Sequence, residues 1–350
     1  MARKKNNYPL LEGLEITTLA AEGKAMGKID NQVVFVPMTV PGDIVDVQVR
    51  KHHRRYMEAS VVRFVEKSPL RTEPFCEHFG VCGGCKWQSL PYEEQLKQKT
   101  TQVEDQLVRI GHLNIPEVRP CLGSERTREY RNKLEFTFAD KRWLTYEEIA
   151  EAGDIASTPA VGFHIPGCFD KVLDINRCHL QIDISNRIRL ATKAFCIEHG
   201  YSFHNARLHE GLMRTMVIRT ASTGEIMVIV VFNENDTERI NALMSYLKAE
   251  FPEITSLIYM VNEKWNDSLG DREPICFAGK DHIIEEMEGL KFKVGPKSFY
   301  QTNSEQAYEL YKVTRDFADL KPTDVLYDLY TGTGTIANFC ARRAAKVVGV

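Results

Sequence analysis

Phe75–Gln88 reads FCEHFGVCGGCKWQ and sets Cys76, Cys82 and Cys85 in one glycine-rich loop, separated by five and two residues. Thiols packed this closely are an oxidation liability unless they bind something. Gly80, Gly83 and Gly84 let the backbone take the positive φ angles needed to wrap a small inorganic centre. Three thiolates do not complete a four-ligand site, so a fourth ligand is expected from elsewhere in the chain. Cys196 and Cys340 sit beside Phe195 and Phe339 in helical patterns and read as small buried hydrophobes. Cys178, at the end of a strand pattern and the start of a polar loop, is the chosen fourth ligand. Spacing alone leaves an iron–sulfur cluster and zinc equally open.

On the N-terminal side the apolar stretches LEITTLA, VVFVP, IVDVQV and ASVVRFV are broken by turn signals at Gly23, Gly27 and Pro41-Gly42-Asp43. Four or five short strands in residues 9–68 predict a small all-β barrel of the OB type, an architecture that often binds RNA. Residues 1–72 hold 12 Lys or Arg against 8 Asp or Glu, although the whole chain carries a net charge of −3. Arg50, Lys51, Arg54 and Arg55 cluster between the last two strands, where a barrel loop can meet phosphate. The plain alternative is a solvated basic turn. No apolar run is long enough to span a bilayer, and the N-terminus lacks an apolar signal core. Nine cysteines without a regular pairing pattern then fit a reducing compartment, so a cytoplasmic protein is expected.

On the C-terminal side, Ser89 caps a predicted helix with Pro91 in its first turn and apolar residues at helical spacing as far as Ile110. Residues 120–300 read as an α+β domain. Tyr130–Phe138 alternates Leu134, Phe136 and Phe138 against Arg131, Lys133 and Glu135, a half-buried strand with a charged outer face. Strands follow at VGFHI, VLDIN, LMRTMVIRT, EIMVIVVF and SLIYMV, with helices over 183–199 and 236–250, and Lys141–Pro159 reads as an inserted loop.

From Pro322 the chain becomes a βαβ unit: a strand to Tyr330, the turn TGTGT, a helix and the strand KVVGV. A glycine turn at the carboxyl end of a buried strand is where open α/β sheets bind ligands. With Asp328 before it and no P-loop lysine within it, the turn favours S-adenosylmethionine over a dinucleotide. Phe299–Asn303, FYQTN, leads into another helix, for which Asn303 or Ser304 is a natural cap.

Taken in order, these motifs resemble the bacterial RNA uracil-C5 methyltransferases, and within them the 23S rRNA group that carries a TRAM domain and a [4Fe–4S] cluster. The resemblance spans nearly the whole chain and rests on the 9–68 barrel, the four cysteines, F-x-Q-x-N at 299–303 and D-L-Y-x-G-x-G at 328–334. It implies [4Fe–4S] ligation by Cys76, Cys82, Cys85 and Cys178. It also implies S-adenosylmethionine contacts from Gln301, Tyr330 and Thr335, around the turn of Asp328, Gly332 and Gly334. Thr335 stands where the family often has asparagine. Arg131 and Lys133 fall in the family's RNA-facing strand.

The implied chemistry is attack of a cysteine thiolate on uracil C6, methyl transfer to C5 and removal of the C5 proton by a base. In the resembled proteins an acidic ribose ligand follows the strand matching KVVGV, with a further acidic contact, the nucleophile and the base beyond it. All four positions lie past Val350. The chain is therefore expected to be C-terminally truncated and inactive, and no catalytic residue is assigned within it. The expected organisation is multi-domain: a TRAM-like barrel over 1–70, an iron–sulfur α+β domain over 71–300, and the start of a Rossmann-like α/β methyltransferase domain over 301–350. The expected partner is RNA, 23S rRNA in preference to tRNA, bound by a monomer with no protein partner and no membrane. The alternative function is an RNA-binding iron–sulfur or zinc protein without methyltransferase activity.

Overall fold

The computed structural model describes residues 8–151 and 158–350. The chain divides into two compact units, one through Glu125 and one from Arg126. In the first unit, β1 (Leu10–Leu19), β2 (Lys24–Ile29), β3 (Gln32–Pro37), β4 (Ile44–His52) and β5 (Tyr56–Glu66) close into a barrel of order β1-β2-β3-β5-β4. β3 and β5 run parallel, the other neighbours antiparallel. Alternate residues Val34, Val36, Val45, Val47 and Val49 fill the interior, joined by Leu14, Ile16 and Leu90. Gly27 lets β1 and β2 approach closely, since a Cβ there would stand 2.2 Å from the Glu15 carbonyl oxygen. Asp43 is fully buried at the barrel rim. Its carboxylate accepts from the Val40 and Ser68 amides and, twice, from the Arg71 guanidinium at 2.6–2.8 Å. Burial pushes the Asp43 pKa up, but these donors outweigh it and hold the carboxyl below its ordinary range.

The helix after the cysteine loop, α1 (Tyr92–Glu104), begins differently from expectation. Pro91 takes the N-cap position, while Ser89 is buried two residues earlier and its carbonyl accepts from the Thr72 amide. The helix widens into a π-helical turn over Asp105–Ile110. None of its residues is buried, and Ile110 is 75% exposed, so the apolar spacing marks no core face within this unit.

The second unit is built on a seven-stranded sheet. Its elements are β6 (Lys133–Ala139), α2 (Tyr146–Glu151), β7 (Ala160–His164), β8 (Val172–Asp174), α3 (Ile184–Glu198), β9 (Met213–Thr220), β10 (Ile226–Phe232), α4 (Thr237–Glu250), β11 (Ser256–Val261) and β12 (Ile275–Gly279). Strand order is β12-β11-β10-β9-β6-β7-β8. β10 and β11 are parallel, linked by the α4 crossover, and every residue of β10 is buried, as expected for a central strand covered on both faces. In β6 the alternation holds: Leu134, Phe136 and Phe138 are buried and Glu135 is exposed. The segment Lys141–Pro159, expected as a loop, contains the short helix α2, and its residues 152–157 lie outside the described residues.

Beyond the sheet, β13 (Ile283–Met287) and β14 (Leu290–Val294) form a hairpin that was not anticipated. α5 (Ser304–Ala318), β15 (Val325–Asp328), α6 (Thr335–Cys340) and β16 (Lys346–Gly349) follow, with β15 and β16 parallel. The expected βαβ unit is therefore present. Cys196 and Cys340 are buried, as their apolar settings predicted.

Candidate functional site

The turn between β15 and α6 is pinned by Asp328. Its Oδ2 accepts from Thr331 Oγ1 at 2.9 Å and from the Ala337 amide at 3.0 Å, so one carboxylate oxygen ties the turn to the first turn of α6. The Thr331 amide donates to the Val350 carbonyl and the Gly334 amide to the Thr331 carbonyl. Gly332 and Gly334 adopt φ of 55° and 71°. A Cβ on Gly334 would press within 3.0 Å of the Asn338 amide nitrogen, whereas one on Gly332 meets nothing closer than the Tyr330 carbonyl at 3.9 Å. Gly332 thus leaves bare backbone open to a ligand. Tyr330 is also in the left-handed region, at φ 61°, and is 99% exposed. Such a strained position in a non-glycine residue concentrates at functional turns. Thr335 is buried instead, its hydroxyl 3.4 Å from that of Tyr311 on α5.

The F-x-Q-x-N segment joins the same unit from the other side. Asn303 caps α5, its side chain accepting from the Gln306 amide. The Gln301 side-chain amide makes no hydrogen bond among the described residues. Its backbone is held by Asn132: Asn132 Nδ2 donates to the Gln301 carbonyl at 2.7 Å and to Ser304 Oγ at 2.8 Å, and the Asn132 amide donates to the Thr302 carbonyl. Ser304 Oγ in turn donates to the buried Glu285. Asn132 lies between Arg131 and Lys133, and sequence reading passed over it. Its only signal was a small amide in an otherwise charged stripe. Arg131 and Lys133 flank it on β6 and its approach, both half-buried, with Lys133 opposite Arg219 in the sheet register.

The other predicted residues occupy the first unit. Arg50 and Lys51 lie just before the end of β4, with Arg50 bonded to Ser60 and Lys51 paired with Glu58 at 3.1 Å. Arg54 and Arg55 form the exposed β4–β5 turn and make no ion pair among the described residues. His53 stacks on Tyr56 with ring centroids 4.4 Å apart, adding an aromatic surface that the sequence reading did not single out.

Cys76, Cys82 and Cys85 are half-buried on their loop. Gly80 there has φ 94°, and the Gly84 amide donates to Cys82 Sγ at 3.4 Å. Burial raises the Cys82 pKa, and the neighbouring Cys85 and Cys76 add to it. Yet among the described residues no three His, Cys, Asp or Glu are arranged to hold a metal ion. Cys178 belongs to the second unit. It is buried beside Asn186, whose side chain accepts from its amide and donates to its carbonyl.

Comparison with known proteins decides the family. A model of the TRAM domain matches residues 14–62, the barrel. A Bacteroides thetaiotaomicron protein named an uncharacterized RNA methyltransferase is 56% identical over 95% of this chain and 74% of its own length. A Porphyromonas gingivalis protein of the same name is 54% identical over 96% of the chain and 74% of its length. The chain belongs to the RNA methyltransferases. This RNA methyltransferase also shares its fold with a solved Pyrococcus abyssi tRNA (uracil-54, C5)-methyltransferase in complex with S-adenosyl-L-homocysteine. That likeness has a TM-score of 0.69 and 25% identity, and covers 97% of this chain and 72% of the other. Among the described residues no helix is long and apolar enough to cross a membrane.

Proposed function

We propose that this RNA methyltransferase uses S-adenosylmethionine to methylate C5 of a uridine, in 23S rRNA by the resemblance of its motifs. The observation that carries the reading is the likeness, over nearly the whole chain, to a uracil-C5 methyltransferase solved with S-adenosyl-L-homocysteine. That neighbour acts on tRNA, which makes tRNA the second reading of the substrate. The groups around the glycine turn fit the cofactor: open backbone at Gly332, a Gln301 amide without a hydrogen bond among the described residues, and the exposed Tyr330 ring.

In this reading Gln301, Tyr330, Gly332, Gly334 and Thr335 hold the cofactor. Asp328 and Asn132 fix the two segments that present these groups. When bound, S-adenosylmethionine supplies an electrophilic methyl group. Arg131 and Lys133, with Arg50, Lys51, Arg54 and Arg55, neutralise backbone phosphate and orient the RNA. A thiolate adding to C6 is the chemistry that makes C5 of uracil nucleophilic, and no residue of the chain is assigned to that step.

A [4Fe–4S] cluster on Cys76, Cys82, Cys85 and Cys178 remains part of the proposal. Its support is the three thiols on one loop; the ligand arrangement described above does not add to it. Iron and acid-labile sulfide in anaerobically purified protein test it directly, and their absence removes the cluster. For the main reading, RNA is incubated with labelled S-adenosylmethionine and the product of the entire reading frame, then digested to nucleosides. Labelled 5-methyluridine is expected. Label appearing only in another nucleoside would refute uracil-C5 transfer, and the RNA fraction carrying it separates rRNA from tRNA.

A further inference from the structure

At the β8 edge of the seven-stranded sheet lies a cleft of about 170 Å³ that no residue of the glycine turn lines and that Thr137, on the same face of β6 as Lys133, borders. Its walls come from the end of β6 (Thr137–Asp140), His164, Phe169–Val172 and His204–Arg207. Its volume suits one planar ring system better than a whole cofactor, for which pockets run to several hundred Å³.

The lining combines aromatic surface with an excess of positive over negative side chains, Lys141, Lys171 and Arg207 against Asp140 and Asp170. Phe169 is 68% exposed, unusual for a phenylalanine, and the Arg207 guanidinium stands 5.9 Å from its ring centroid. Both carboxylates of the cleft are hydrogen-bonded, but among the described residues only Asp170 has a cationic partner. Asp170 accepts from Arg207 Nε, and Asp140 accepts from Asn205 Nδ2 at 2.8 Å. Lys141 and Lys171 make no direct ion pair among the described residues, although the Lys171 charge, with Arg207, helps hold the Asp170 carboxyl below its ordinary range, so both ammonium groups can still reach an external anion. His164 reaches Thr137 Oγ1 at 3.2 Å and stays exposed. His204 is 7% exposed, lines the cleft, and its Nδ1 has no hydrogen-bond partner. Burial, then the nearby Arg214 and His209, lower its pKa, so it is a neutral imidazole able to donate or accept. An exposed ring beside an arginine, with lysines around it, is the means by which single-stranded nucleic acid is held: base on ring, phosphate on ammonium.

We propose that this cleft is a second RNA subsite, which takes one unpaired nucleotide outside the methylated uridine. The base stacks on Phe169, and Lys141 and Lys171 hold the flanking phosphates. The inference rests on RNA as the substrate, and it adds a contact that would select unpaired over helical RNA, whose bases are not free to stack.

The test uses the full chain and a short fluorescein-labelled oligouridylate, read by anisotropy over a salt series. Phe169→Ala is expected to raise Kd about fivefold or more, the scale of one lost stacking contact, while Phe169→Trp keeps wild-type affinity. Lys141→Ala/Lys171→Ala is expected to flatten the slope of log Kd against log salt by about 1.4, two phosphate contacts on a single strand. Retention of ring stacking in Phe169→Trp separates a lost contact from a damaged fold. Wild-type affinity and slope in both Phe169→Ala and the double lysine variant would overturn the subsite. If those variants weaken RNA binding while the whole-frame product yields no 5-methyluridine, the subsite stands and the uracil-C5 reading falls. If 5-methyluridine forms and the variants bind normally, the reverse holds.

Discussion

Asn132 offers the sharpest test of how the cofactor segment is held. Its side chain donates to the Gln301 carbonyl at 2.7 Å and to Ser304 Oγ at 2.8 Å, and the residue is 8% exposed. Asn132→Ala removes both bonds. At about 1–1.5 kcal/mol each, the segment loses roughly 2–3 kcal/mol of anchoring. The backbone bond from Asn132 to Thr302 remains, so undocking is partial. An undocked fraction lowers apparent affinity in proportion, and about a tenfold rise in the S-adenosylmethionine Kd is expected. Asn132→Asp is nearly isosteric but cannot donate. Its carboxylate would face the Gln301 carbonyl, with the buried Glu285 one hydroxyl away. It should therefore be worse than alanine despite the smaller change in shape. Titration calorimetry with S-adenosylmethionine on the full chain measures both. If Asn132→Asp binds the cofactor as wild type does, or better than Asn132→Ala, the positioning role assigned to this residue is wrong.

The glycine turn yields two further expectations. Asp328→Asn keeps an oxygen for Thr331 and Ala337 and should hold the turn, whereas Asp328→Ala should cost about 2–3 kcal/mol of local order and most of the cofactor affinity; equal calorimetric affinities in the two variants would contradict this. Gly334→Ala meets Asn338 at φ 71° and should lose about 1–2 kcal/mol of stability, while Gly332→Ala bears the cost of its left-handed φ of 55° but meets no neighbour, so it should lower Tm less than Gly334→Ala and weaken cofactor binding. In the barrel, the Asp43 carboxyl has its folded pKa depressed, so its contribution is complete above the unfolded value near 3.9 and is lost as pH falls through the lower folded value. Urea melts of wild type and Asp43→Asn should therefore differ by about 3 kcal/mol at neutral pH and converge in acid; a gap that stays constant with pH would refute the assignment. Arg189, fully buried, donates to the Val161 and Asn176 carbonyls, and Arg189→Ala should destabilise the second unit by about 3 kcal/mol in the same assay, since two buried carbonyls lose their donors.

Where alternation was clean, local pattern and fold agreed. The barrel valines and Leu134, Phe136 and Phe138 face inward as their period of two requires. The β13–β14 hairpin escaped because its inward positions are Ile283, Glu285 and Met287, and the middle one is charged. Glu285 is buried because it accepts from Ser304 and the Ser222 amide, partners 19 and 63 residues away that no local window contains. Glu288 and Gly289, both at positive φ, were the available hairpin signal. Ser89 misled because a capping residue and a buried polar one look alike until the following proline sets the helix start. The chemistry of the glycine turn was legible as a motif, but Asn132, which braces its partner segment, owes its role to a contact across 169 residues.

The strand order of the larger sheet has a consequence for synthesis. β6 lies inside it, between β7 and the central strand β9, yet β9 is encoded roughly seventy residues after β6 ends. At about 5–20 residues per second, a ribosome needs about 4–14 s to add them. β7 and β8 are made within that interval, while the backbone groups of β6 that will meet β9 have no strand beside them until it ends. The barrel has no such wait, since its five strands all lie between Leu10 and Glu66. The nascent chain therefore carries a finished RNA-binding barrel ahead of a sheet with an open central seam. Slowing translation between Ala139 and Met213 would lengthen the exposure of that seam without touching a residue of the folded protein.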